Sequence, residues 1–419
     1  MAAYQISGGE SLKGSIEIHG SKNAALPLLA ASLLHRGTTV LYGCPDILDV
    51  RYMIEILRSV GCGIECKKDF LKIDASDISV ENVSRNCIGK MRSSILLLGA
   101  LIGRCHELAL DYPGGCTIGA RPVDMHLEAL RKMGVHIDEQ GEQIYCQSDN
   151  LIGTHIYLNY PSVGATENII MAAVHAEGIT WIHNAAKEPE VVELAEFLRK
   201  MGAEIYGAGS KRIGILGKCP LRNIKYRIMG DRIVAGTYLL AAAGTRGEIE
   251  IKGVHANNMH ALLHICEEMG CRIQIRDYSI SLSSKHRLFS VSDIHTQPFP
   301  GIPTDMQSQL MAVLTTAQGE SVIYEHVFEK RFRTAEELVR LGADIQIKNN
   351  RAVIRGVKQL KGCFVSANDL RGGAALIIAG LMAEGDTIVD NSIFVERGYQ
   401  DICKDLKQLG AKIKIMNGK

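Results

Sequence analysis

The chain has 419 residues, too many for one hydrophobic core, so two domains of about 200 residues each are expected. Hydrophobic residues make up 46% and charged residues 22%, as in soluble globular proteins. The formal net charge of +1 argues against nucleic acid or an anionic membrane as the main partner, because both require a strong basic excess.

The sequence has no apolar run of membrane-spanning length and no secretion signal at its start, which predicts a cytoplasmic protein. Its 12 cysteines are scattered, as expected for reduced thiols in that compartment. No group of Cys and His residues has the spacing of zinc ligands, so we expect no structural metal.

A short signature recurs six times along the chain. The copies are SVGCGIE (59–65), KMGVHID (132–138), KMGAEIY (200–206), EMGCRIQ (268–274), RLGADIQ (340–346) and QLGAKIK (408–414). The glycines are 73, 68, 68, 72 and 68 residues apart, which indicates six copies of one supersecondary unit. An amphipathic helix precedes each signature, the glycine fits a left-handed helix C-cap, and a strand follows.

A second, almost entirely apolar helix lies about thirty residues before each of these signatures. In chain order these helices read NAALPLLAASLLHRG, RSSILLLGALIGR, VGATENIIMAAVHAEG, DRIVAGTYLLAAAGTRG, TDMQSQLMAVLTTAQG and DLRGGAALIIAGLMAEG. A helix that is apolar on all sides is buried. The pattern therefore predicts an α/β fold of two inside-out domains, each with three repeated units, buried helices and outer sheets.

The starts of the apolar helices combine capping residues with cations. Asp231, Thr304 and Asp369 are expected N-caps, and 304–307 reads as a Thr-x-x-Gln capping box. Cations occur at or near four of these starts, at Lys22, Arg92, Arg232 and Arg371. Because the helix dipole is positive at its N-terminus, cations are unfavourable there, and their recurrence predicts a bound anion such as a phosphate.

The stretch YPGGCTIGARPVDMH (112–126) is unlike a core strand or helix. Gly114 and Gly115 permit unusual backbone conformations before Cys116, and a cation such as Arg121 would lower the pKa of a nearby thiol. The alternative interpretation is a turn with a bystander cysteine. A Cys–His protease site with His126 is less well supported, because no third orienting group or oxyanion motif is present.

The motifs GSKNAALPLLAASLL, YPGGCTIGARPVDMHL, PSVGATEN, DRIVAGTYLLAAA, IPTDMQSQ, EKRF, DLRGGAAL and ERGYQ occur in order along essentially the whole chain. Together they resemble the UDP-N-acetylglucosamine 1-carboxyvinyltransferase family of enolpyruvyl transferases. The resemblance implies one domain over 22–229, carrying the cysteine loop, and a second formed by 1–21 and 230–419. It implies transfer of the enolpyruvyl group of phosphoenolpyruvate to the 3′-hydroxyl of UDP-N-acetylglucosamine, with release of phosphate and without a metal or organic cofactor.

The resemblance also implies roles for individual residues. Cys116 matches the general acid toward C3 of phosphoenolpyruvate, and Asp305 matches the carboxylate at the sugar 3′-hydroxyl. Lys22, Arg121 and Arg397 match the cations that hold phosphoenolpyruvate. The nucleotide-sugar contacts correspond to Asn23, Arg92, Arg121, Pro122, Val123, Asp124, Met125, Ser162, Val163, Gly164 and Val327. Arg331, Asp369 and Arg371 match further substrate-site residues.

Four positions depart from the family pattern, namely Tyr160, Val234, Lys330 and Gln400. They leave every proposed catalytic group in place but are consistent with a diverged paralogue.

Alternative functions are a transferase of the same fold with another acceptor alcohol, and a catalytically silent paralogue that binds UDP-N-acetylglucosamine and regulates a partner. A purely structural repeat protein would leave the cations at the helix starts unexplained. The implied cellular role is the first committed step of peptidoglycan synthesis, and hence cell-wall biogenesis, cell shape and division.

Overall fold

The computed structural model describes residues 2–80, 85–114, 118–119 and 122–416, without the side chains of residues 85 and 86. Within these residues the chain is a mixed α/β protein, as predicted. No helix in the described ranges combines the length and apolar character needed to cross a membrane.

Internal contacts divide the chain into two compact units. Unit I comprises Met1–His19, Thr117–Ala120 and Gly230–Lys419, and unit II comprises Gly20–Cys116 and Arg121–Met229. The expected boundaries of independently folding domains at residues 22 and 230 remain a prediction.

The helices are short and distributed along the whole described chain. They are α1 (Lys22–Ala31), α2 (Leu48–Ser59), α3 (Arg85–Ile88), α4 (Leu96–Cys105), α5 (Asp124–Lys132), α6 (Val163–Ala173), α7 (Pro189–Met201), α8 (Arg232–Gly244), α9 (His260–Glu268), α10 (Gln307–Leu314), α11 (Thr334–Arg340), α12 (Leu370–Met382), α13 (Ile393–Glu396) and α14 (Ile402–Gln408).

The strands are mostly five residues long. They are β1 (Ala3–Ser7), β2 (Lys13–Glu17), β3 (Thr38–Tyr42), β4 (Gly63–Cys66), β5 (Phe70–Asp74), β6 (Glu107–Asp111), β7 (His136–Gln140), β8 (Gln143–Gln147), β9 (His155–Tyr157), β10 (Ile179–His183), β11 (Glu204–Tyr206), β12 (Arg212–Leu216), β13 (Ile224–Arg227), β14 (Glu248–Lys252), β15 (Arg272–Arg276), β16 (Ser279–Ser283), β17 (Ile294–His295), β18 (Glu320–Tyr324), β19 (Asp344–Lys348), β20 (Arg351–Arg355), β21 (Phe364–Ser366), β22 (Asp386–Asp390) and β23 (Lys412–Met416).

Unit II has an interior of apolar helices. Helix α4 packs on both α1 and α6, and these three helices are buried over most of their length. Its described strands form three sheets with the orders β13-β3-β5-β4, β6-β8-β7 and β11-β12-β10-β9. Each sheet ends in an antiparallel hairpin, for example β4–β5 with Ile64 opposite Ile73. Alternate residues such as Leu71 and Ile73 point inward, which is the period-two pattern of a sheet with one buried face.

Unit I repeats this arrangement. Helices α8, α10 and α12 pack pairwise on one another and are buried almost throughout. Its described strands form three sheets with the orders β21-β22-β1-β23, β15-β16-β14-β2 and β17-β18-β20-β19. The N-terminal strands β1 and β2 therefore belong to the same unit as the C-terminal half of the chain. The predicted arrangement of buried helices and outer sheets is confirmed in both units.

The six signature glycines have the backbone conformation predicted for helix C-caps. Their φ angles are 95° at Gly61, 92° at Gly134, 117° at Gly202, 91° at Gly270, 95° at Gly342 and 92° at Gly410. This left-handed region carries no steric cost for glycine, which explains why the same residue type recurs in every copy.

A buried carboxyl group fixes the end of unit II. Glu193 of α7 is 6% exposed, and its Oε1 accepts a hydrogen bond from the backbone N–H of Met229 at 2.7 Å. Burial raises the pKa of Glu193 to about 8, although the Met229 N–H opposes this; Glu190 and Glu196 add to the rise. Glu167 is also buried, and burial together with Glu190 and Glu188 raises its pKa in the same direction.

The raised pKa of Glu193 predicts that its contribution to stability is lost as the pH rises. Folded Glu193 keeps its proton up to about pH 8, whereas the unfolded side chain loses it near pH 4.5, so this contribution is fully present below pH 4.5 and falls between these values. The slope for one group is about 1.4 kcal/mol per pH unit. Thermal midpoints at pH 5 to 8 should therefore fall less steeply in Glu193→Gln than in the wild type. Glu128→Gln, an exposed change in α5 that is not among the causes of the Glu193 shift, should keep the wild-type slope. Equal slopes in all three proteins would contradict this account.

Candidate active site

Lys22 lies at the start of α1, in unit II, in contact with a buried carboxylate. Its Nζ is 2.6 Å from Oδ2 of Asp49, and the two side chains are 12% and 4% exposed. Ser21 caps the helix by accepting a hydrogen bond from the N–H of Ala24 at 3.4 Å. Asp49 offsets the unfavourable position of a cation at a helix N-terminus and fixes the Lys22 ammonium group. Asn23 follows Lys22 and is half-buried.

Arg92 joins two parts of the predicted nucleotide-sugar site in unit II. Its Nη2 donates a hydrogen bond to the carbonyl of Pro122 at 2.9 Å. Val123 is buried and Asp124 begins α5, so Arg92 links the start of α4 to the start of α5. The carbonyl of Pro122 is thus held beside the turn that precedes α4.

The start of α6 lies against α5. Ser162 caps α6 by accepting a hydrogen bond from the N–H of Ala165 at 3.3 Å. A Cβ at Gly164 would lie 3.1 Å from Cε1 of His126, so only a residue without a side chain fits this close approach comfortably. Val163 lies between Ser162 and Gly164, in the first turn of α6. The structure therefore brings 162–164 close to α5, which begins within 122–125.

A buried amide organises this part of unit II. The Oδ1 of Asn168 accepts a hydrogen bond from the N–H of Gly99 at 2.6 Å, and its Nδ2 donates to the carbonyl of Ile95 at 3.2 Å. The same Nδ2 lies 3.0 Å from Nδ1 of His126. Asn168 thus connects α4, α5 and α6 at the ends that carry the predicted substrate residues. This role could not be predicted from the sequence, because the partners of Asn168 are 42 to 73 residues away.

The central feature of unit I is a carboxylate held by two buried arginines. Asp305 accepts hydrogen bonds from Nη2 of Arg331 on Oδ1 and from Nη2 of Arg371 on Oδ2, both at 2.9 Å. The Asp305 side chain is 28% exposed, whereas the arginines are 2% and 3% exposed. Burial acts to lower the pKa of Arg371, but Asp305, Tyr399 and Asp231 together raise it above its ordinary value, so the guanidinium stays charged.

Asp369 extends this cluster. Its Oδ1 is 3.6 Å from Nη1 of Arg331 and accepts hydrogen bonds from the N–H groups of Arg371 and Gly372 at the start of α12. Asp369 is therefore the predicted N-cap and also a partner of Arg331. We refer to Asp305, Arg331, Asp369 and Arg371 as the ionic cluster. All four were predicted from the sequence, and the structure brings them together.

The sequence did not predict a role for Glu325. Its carboxylate connects Thr304 to Val327, two residues near the ionic cluster. Its Oε2 accepts a hydrogen bond from the hydroxyl of Thr304 at 2.9 Å, and its Oε1 accepts from the N–H of Val327 at 2.8 Å. The predicted capping box at 304–307 is wrong, because residues 304–306 form a 3₁₀ turn and the Thr304 hydroxyl donates to Glu325. Asp231 does cap α8, through the N–H groups of Ile233 and Val234.

Arg397 follows the short helix α13 and is half-buried. Two residues further on, Tyr399 is buried and its hydroxyl lies 2.8 Å from Oγ1 of Thr237. The guanidinium of Arg371 lies 5.8 Å from the centre of the Tyr399 ring. This chain segment is therefore anchored beside the ionic cluster through Tyr399.

Two predicted site residues, Cys116 and Arg121, lie outside the described residues, so the roles implied for them stay predictions. Within the described part of the loop, Gly114 is required by a close approach. A Cβ there would lie 1.6 Å from the carbonyl oxygen of Gly89.

The four departures from the family pattern lie in different environments. Val234 is fully buried in α8, Tyr160 is 41% exposed, and Gln400 is exposed. Lys330 is exposed and its backbone N–H donates to the carbonyl of Ile118 at 2.9 Å. Each change therefore leaves the ionic cluster intact.

No group of three or more His, Cys, Asp and Glu side chains in the described ranges is arranged to hold a metal ion. The expectation that the reaction needs no metal or organic cofactor remains a prediction.

Comparison with known proteins identifies the family. The sequence profile described as EPSP synthase (3-phosphoshikimate 1-carboxyvinyltransferase) matches residues 6–406. Relatives cover nearly the whole chain at 42–46% identity. The chain belongs to the enolpyruvyl transferase family.

The relatives also identify the branch of the family. UDP-N-acetylglucosamine 1-carboxyvinyltransferase 2 of Caldanaerobacter subterraneus subsp. tengcongensis is 46% identical over 413 residues, which are 99% of each chain. The UDP-N-acetylglucosamine 1-carboxyvinyltransferase of Mycobacterium tuberculosis is 43% identical over 98% of each chain. The resemblance inferred from the sequence motifs is thereby confirmed.

Solved structures agree on the fold. The enolpyruvyl transferase NikO from Streptomyces tendae has a TM-score of 0.90 at 23% identity, covering 100% of this chain and 99% of that one. EPSP synthase from Acinetobacter baumannii has a TM-score of 0.78 at 19% identity, covering 100% of both chains. At these identities the likeness concerns the fold alone.

Proposed function

We propose that this protein transfers the enolpyruvyl group of phosphoenolpyruvate to the 3′-hydroxyl of UDP-N-acetylglucosamine and releases inorganic phosphate. The observation that carries the proposal is the Asp305 carboxylate, which accepts hydrogen bonds from Arg331 and Arg371 at 2.9 Å. The chain that carries it is 46% identical to a UDP-N-acetylglucosamine 1-carboxyvinyltransferase. The carboxylate is the more exposed part of the ionic cluster, so it is available to a substrate hydroxyl.

The reaction is an addition followed by an elimination. The sugar 3′-oxygen adds to C2 of phosphoenolpyruvate while C3 gains a proton, giving a tetrahedral intermediate that carries the phosphate. Loss of a proton from C3 then restores the double bond between C2 and C3, and the C2–O bond to phosphate breaks. The products are the enolpyruvyl ether and inorganic phosphate.

Asp305 orients the 3′-hydroxyl and takes up its proton as the C–O bond forms, which is the task of a general base. Both of its oxygens accept hydrogen bonds from guanidinium groups, so rotation of the carboxylate is restricted. Cys116 is proposed as the acid that protonates C3. Lys22, Arg121 and Arg397 are proposed to bind the phosphate and carboxylate of phosphoenolpyruvate, since an anion of this charge requires several cations.

In the cell, this activity would act in the cytoplasm on soluble precursors and commit them to peptidoglycan synthesis. The substrates are the only partners that the proposal requires, and neither nucleic acid nor a membrane takes part. Cell shape and division would then depend on it through the supply of cell-wall precursor.

Phosphate release tests the proposal directly. Purified protein incubated with both substrates should release one phosphate per enolpyruvyl ether formed, and omission of either substrate should abolish release. Cys116→Ala should lower the rate at least tenfold, and pretreatment with fosfomycin, an epoxide that alkylates thiols, should inactivate the wild type. Cys66→Ala, which removes an exposed thiol on β4, is the matched control and should leave the rate unchanged.

Other outcomes would assign a different function. Release of phosphate with another alcohol but not with UDP-N-acetylglucosamine would identify a transferase with a different acceptor. Binding of UDP-N-acetylglucosamine without any turnover would identify a silent, regulatory paralogue. The buried departure at Val234 would then be the first position to revert.

A further inference from the structure

Unit II contains a cleft at the opposite ends of the helices that carry its predicted substrate residues. The cleft has a volume of about 400 Å³. We call it the basic cleft and define it by six of its lining residues, His35, Arg36, Arg104, His106, His175 and Cys219. Its volume lies within the range of about 300–1,000 Å³ that is usual for small-molecule sites.

The basic cleft is built from the C-terminal ends of the three buried helices. Arg36 lies just after the 3₁₀ turn that ends α1, Arg104 lies in the last turn of α4, and His175 follows α6. Lys22, Arg92 and Ser162 lie at the other ends of these helices. A helix of ten residues spans about 15 Å, so the two regions of unit II are separate.

One cation of the basic cleft, Arg104, has a structural role. Arg104 donates hydrogen bonds to the carbonyls of Leu33, His35, Ala75 and Ser76 at 2.6–3.3 Å. These bonds satisfy carbonyls at the end of α1, and cations are favoured at helix C-termini. Capping of these carbonyls explains the presence of Arg104, but it does not require the other cations of the basic cleft.

Two groups in the cleft are left without a structural partner. In the described part of the chain, Arg36 forms no hydrogen bond or ion pair, although it is close enough to Arg104 to affect it electrostatically. The Nε2 of His175 is buried and also lacks a hydrogen-bond partner among the described residues. A buried polar nitrogen without a partner is unfavourable, and Arg36 is free to pair with a ligand.

The cations in the cleft repel one another. Burial lowers the pKa of Arg104, and the charge of Arg36 is the next largest cause. Burial also lowers the pKa of His175; the Leu34 backbone opposes this, and the charges of Arg104 and His106 add to the lowering. None of the described residues that line the cleft is acidic. An anion would relieve this repulsion.

His106 keeps its position at some conformational cost. It is the left-handed C-cap of α4, with a φ of 60°, where glycine is the usual residue. For a residue with a side chain this conformation is unfavourable. The Nδ1 of His106 lies 3.1 Å from the carbonyl of Ser148, so the ring is fixed at the rim of the cleft.

We propose that the basic cleft binds a phosphate-bearing anion, either free or as part of a small molecule, at a site independent of the transferase reaction. Arg36 supplies a planar guanidinium that can donate two parallel hydrogen bonds to phosphate oxygens. His106 and His175 line the walls beside it. The inference does not depend on the proposed function, because it concerns only groups at the other ends of α1, α4 and α6.

Cys219 lines the cleft and reports on its occupancy. Inorganic pyrophosphate is the probe, and the rate of alkylation of each cysteine by iodoacetamide is followed by peptide mass spectrometry. Saturating pyrophosphate should slow alkylation of Cys219 at least threefold. Cys66, which is exposed elsewhere in unit II, should react at an unchanged rate and serves as the internal control.

Two exposed arginines provide the matched variants. Arg36→Gln should weaken the protection of Cys219 at least tenfold in pyrophosphate concentration. Arg58→Gln removes an arginine that pairs with Glu55 on the surface of α2, and it should leave the protection unchanged. Both positions are exposed, so both variants should fold, and their rates of phosphate release with the two transferase substrates should match the wild type.

A comparison of ADP with pyrophosphate distinguishes a nucleotide ligand from a free phosphate group. ADP protecting at a lower concentration than pyrophosphate would assign the cleft to a nucleotide, and equal protection would assign it to the phosphate group alone. Absence of Cys219 protection by either compound would overturn the proposal, as would equal weakening in Arg36→Gln and Arg58→Gln. These results leave the phosphate-release assay unaffected, so failure of this proposal and of the transferase function can be distinguished.

Discussion

Replacing Asp305 by asparagine is expected to lower the turnover number about 10²–10⁴-fold, the range for loss of a general base. Asparagine retains the shape and an acceptor oxygen but cannot take up the proton of the 3′-hydroxyl. The Michaelis constants should change much less than the turnover number, because the lost interaction belongs to the transition state. Initial rates of phosphate release at varied concentrations of each substrate give this separation.

The control is Asp344→Asn, which removes an exposed carboxylate 3.8 Å from Arg355 in the same unit. It should retain wild-type kinetics. Because Asp305 also neutralises two buried arginines, the assays belong well below the thermal midpoint of each variant. A turnover number for Asp305→Asn within tenfold of the wild type would remove Asp305 from the chemical step and leave it a role in binding alone.

The features that could be predicted from the sequence are those with local causes. The signature glycines recur because each helix ends in a left-handed turn, and Gly202 with φ 117° is the clearest case. The capping roles of Asp231 and Asp369 depend on N–H groups only two or three residues away. Apolar runs without a polar face predicted the buried helices, since solvent cannot reach any side of them.

The features that could not be predicted depend on residues far apart in the chain. Thr304 fits a capping box locally, but its hydroxyl bonds to Glu325, which is 21 residues away. Asp49 has no distinctive sequence context, and its role follows only from its contact with Lys22. Asn168 looks like an ordinary helix residue until the backbone of α4 is placed beside it.

The cations at the helix starts are an intermediate case. Their recurrence predicted an anionic ligand, and the structure describes distinct environments for them. Lys22 is paired with Asp49, whereas Arg92 donates to the carbonyl of Pro122 and Arg371 donates to Asp305. A local pattern can therefore predict that charge collects at these ends, but which acceptor group holds each cation is a property of the tertiary structure.

Arg331→Met is expected to destabilise unit I by about 3–5 kcal/mol, the cost of removing one partner of a buried ion pair. Arg331 is 2% exposed and donates to Asp305 and to the carbonyl of Thr304, and its Nη1 lies 3.6 Å from Asp369. Methionine fills much of the volume but leaves Asp369 without this counter-charge. For a unit of about 200 residues, this loss lowers the thermal midpoint by roughly 10 °C.

The charge explanation is separated from a packing explanation by a second substitution. If the cost arises from the unpaired carboxylate, then Arg331→Met combined with Asp369→Asn should be more stable than the sum of the two single changes, by about 1–3 kcal/mol. Asparagine can still cap α12, so the N-cap bonds to Arg371 and Gly372 are retained. Arg340→Met, an exposed arginine paired with Glu337, should shift the midpoint by less than about 2 °C. Equal midpoints for Arg331→Met and Arg340→Met would mean that the ionic cluster contributes nothing to the fold of unit I, and that its burial serves the substrate alone.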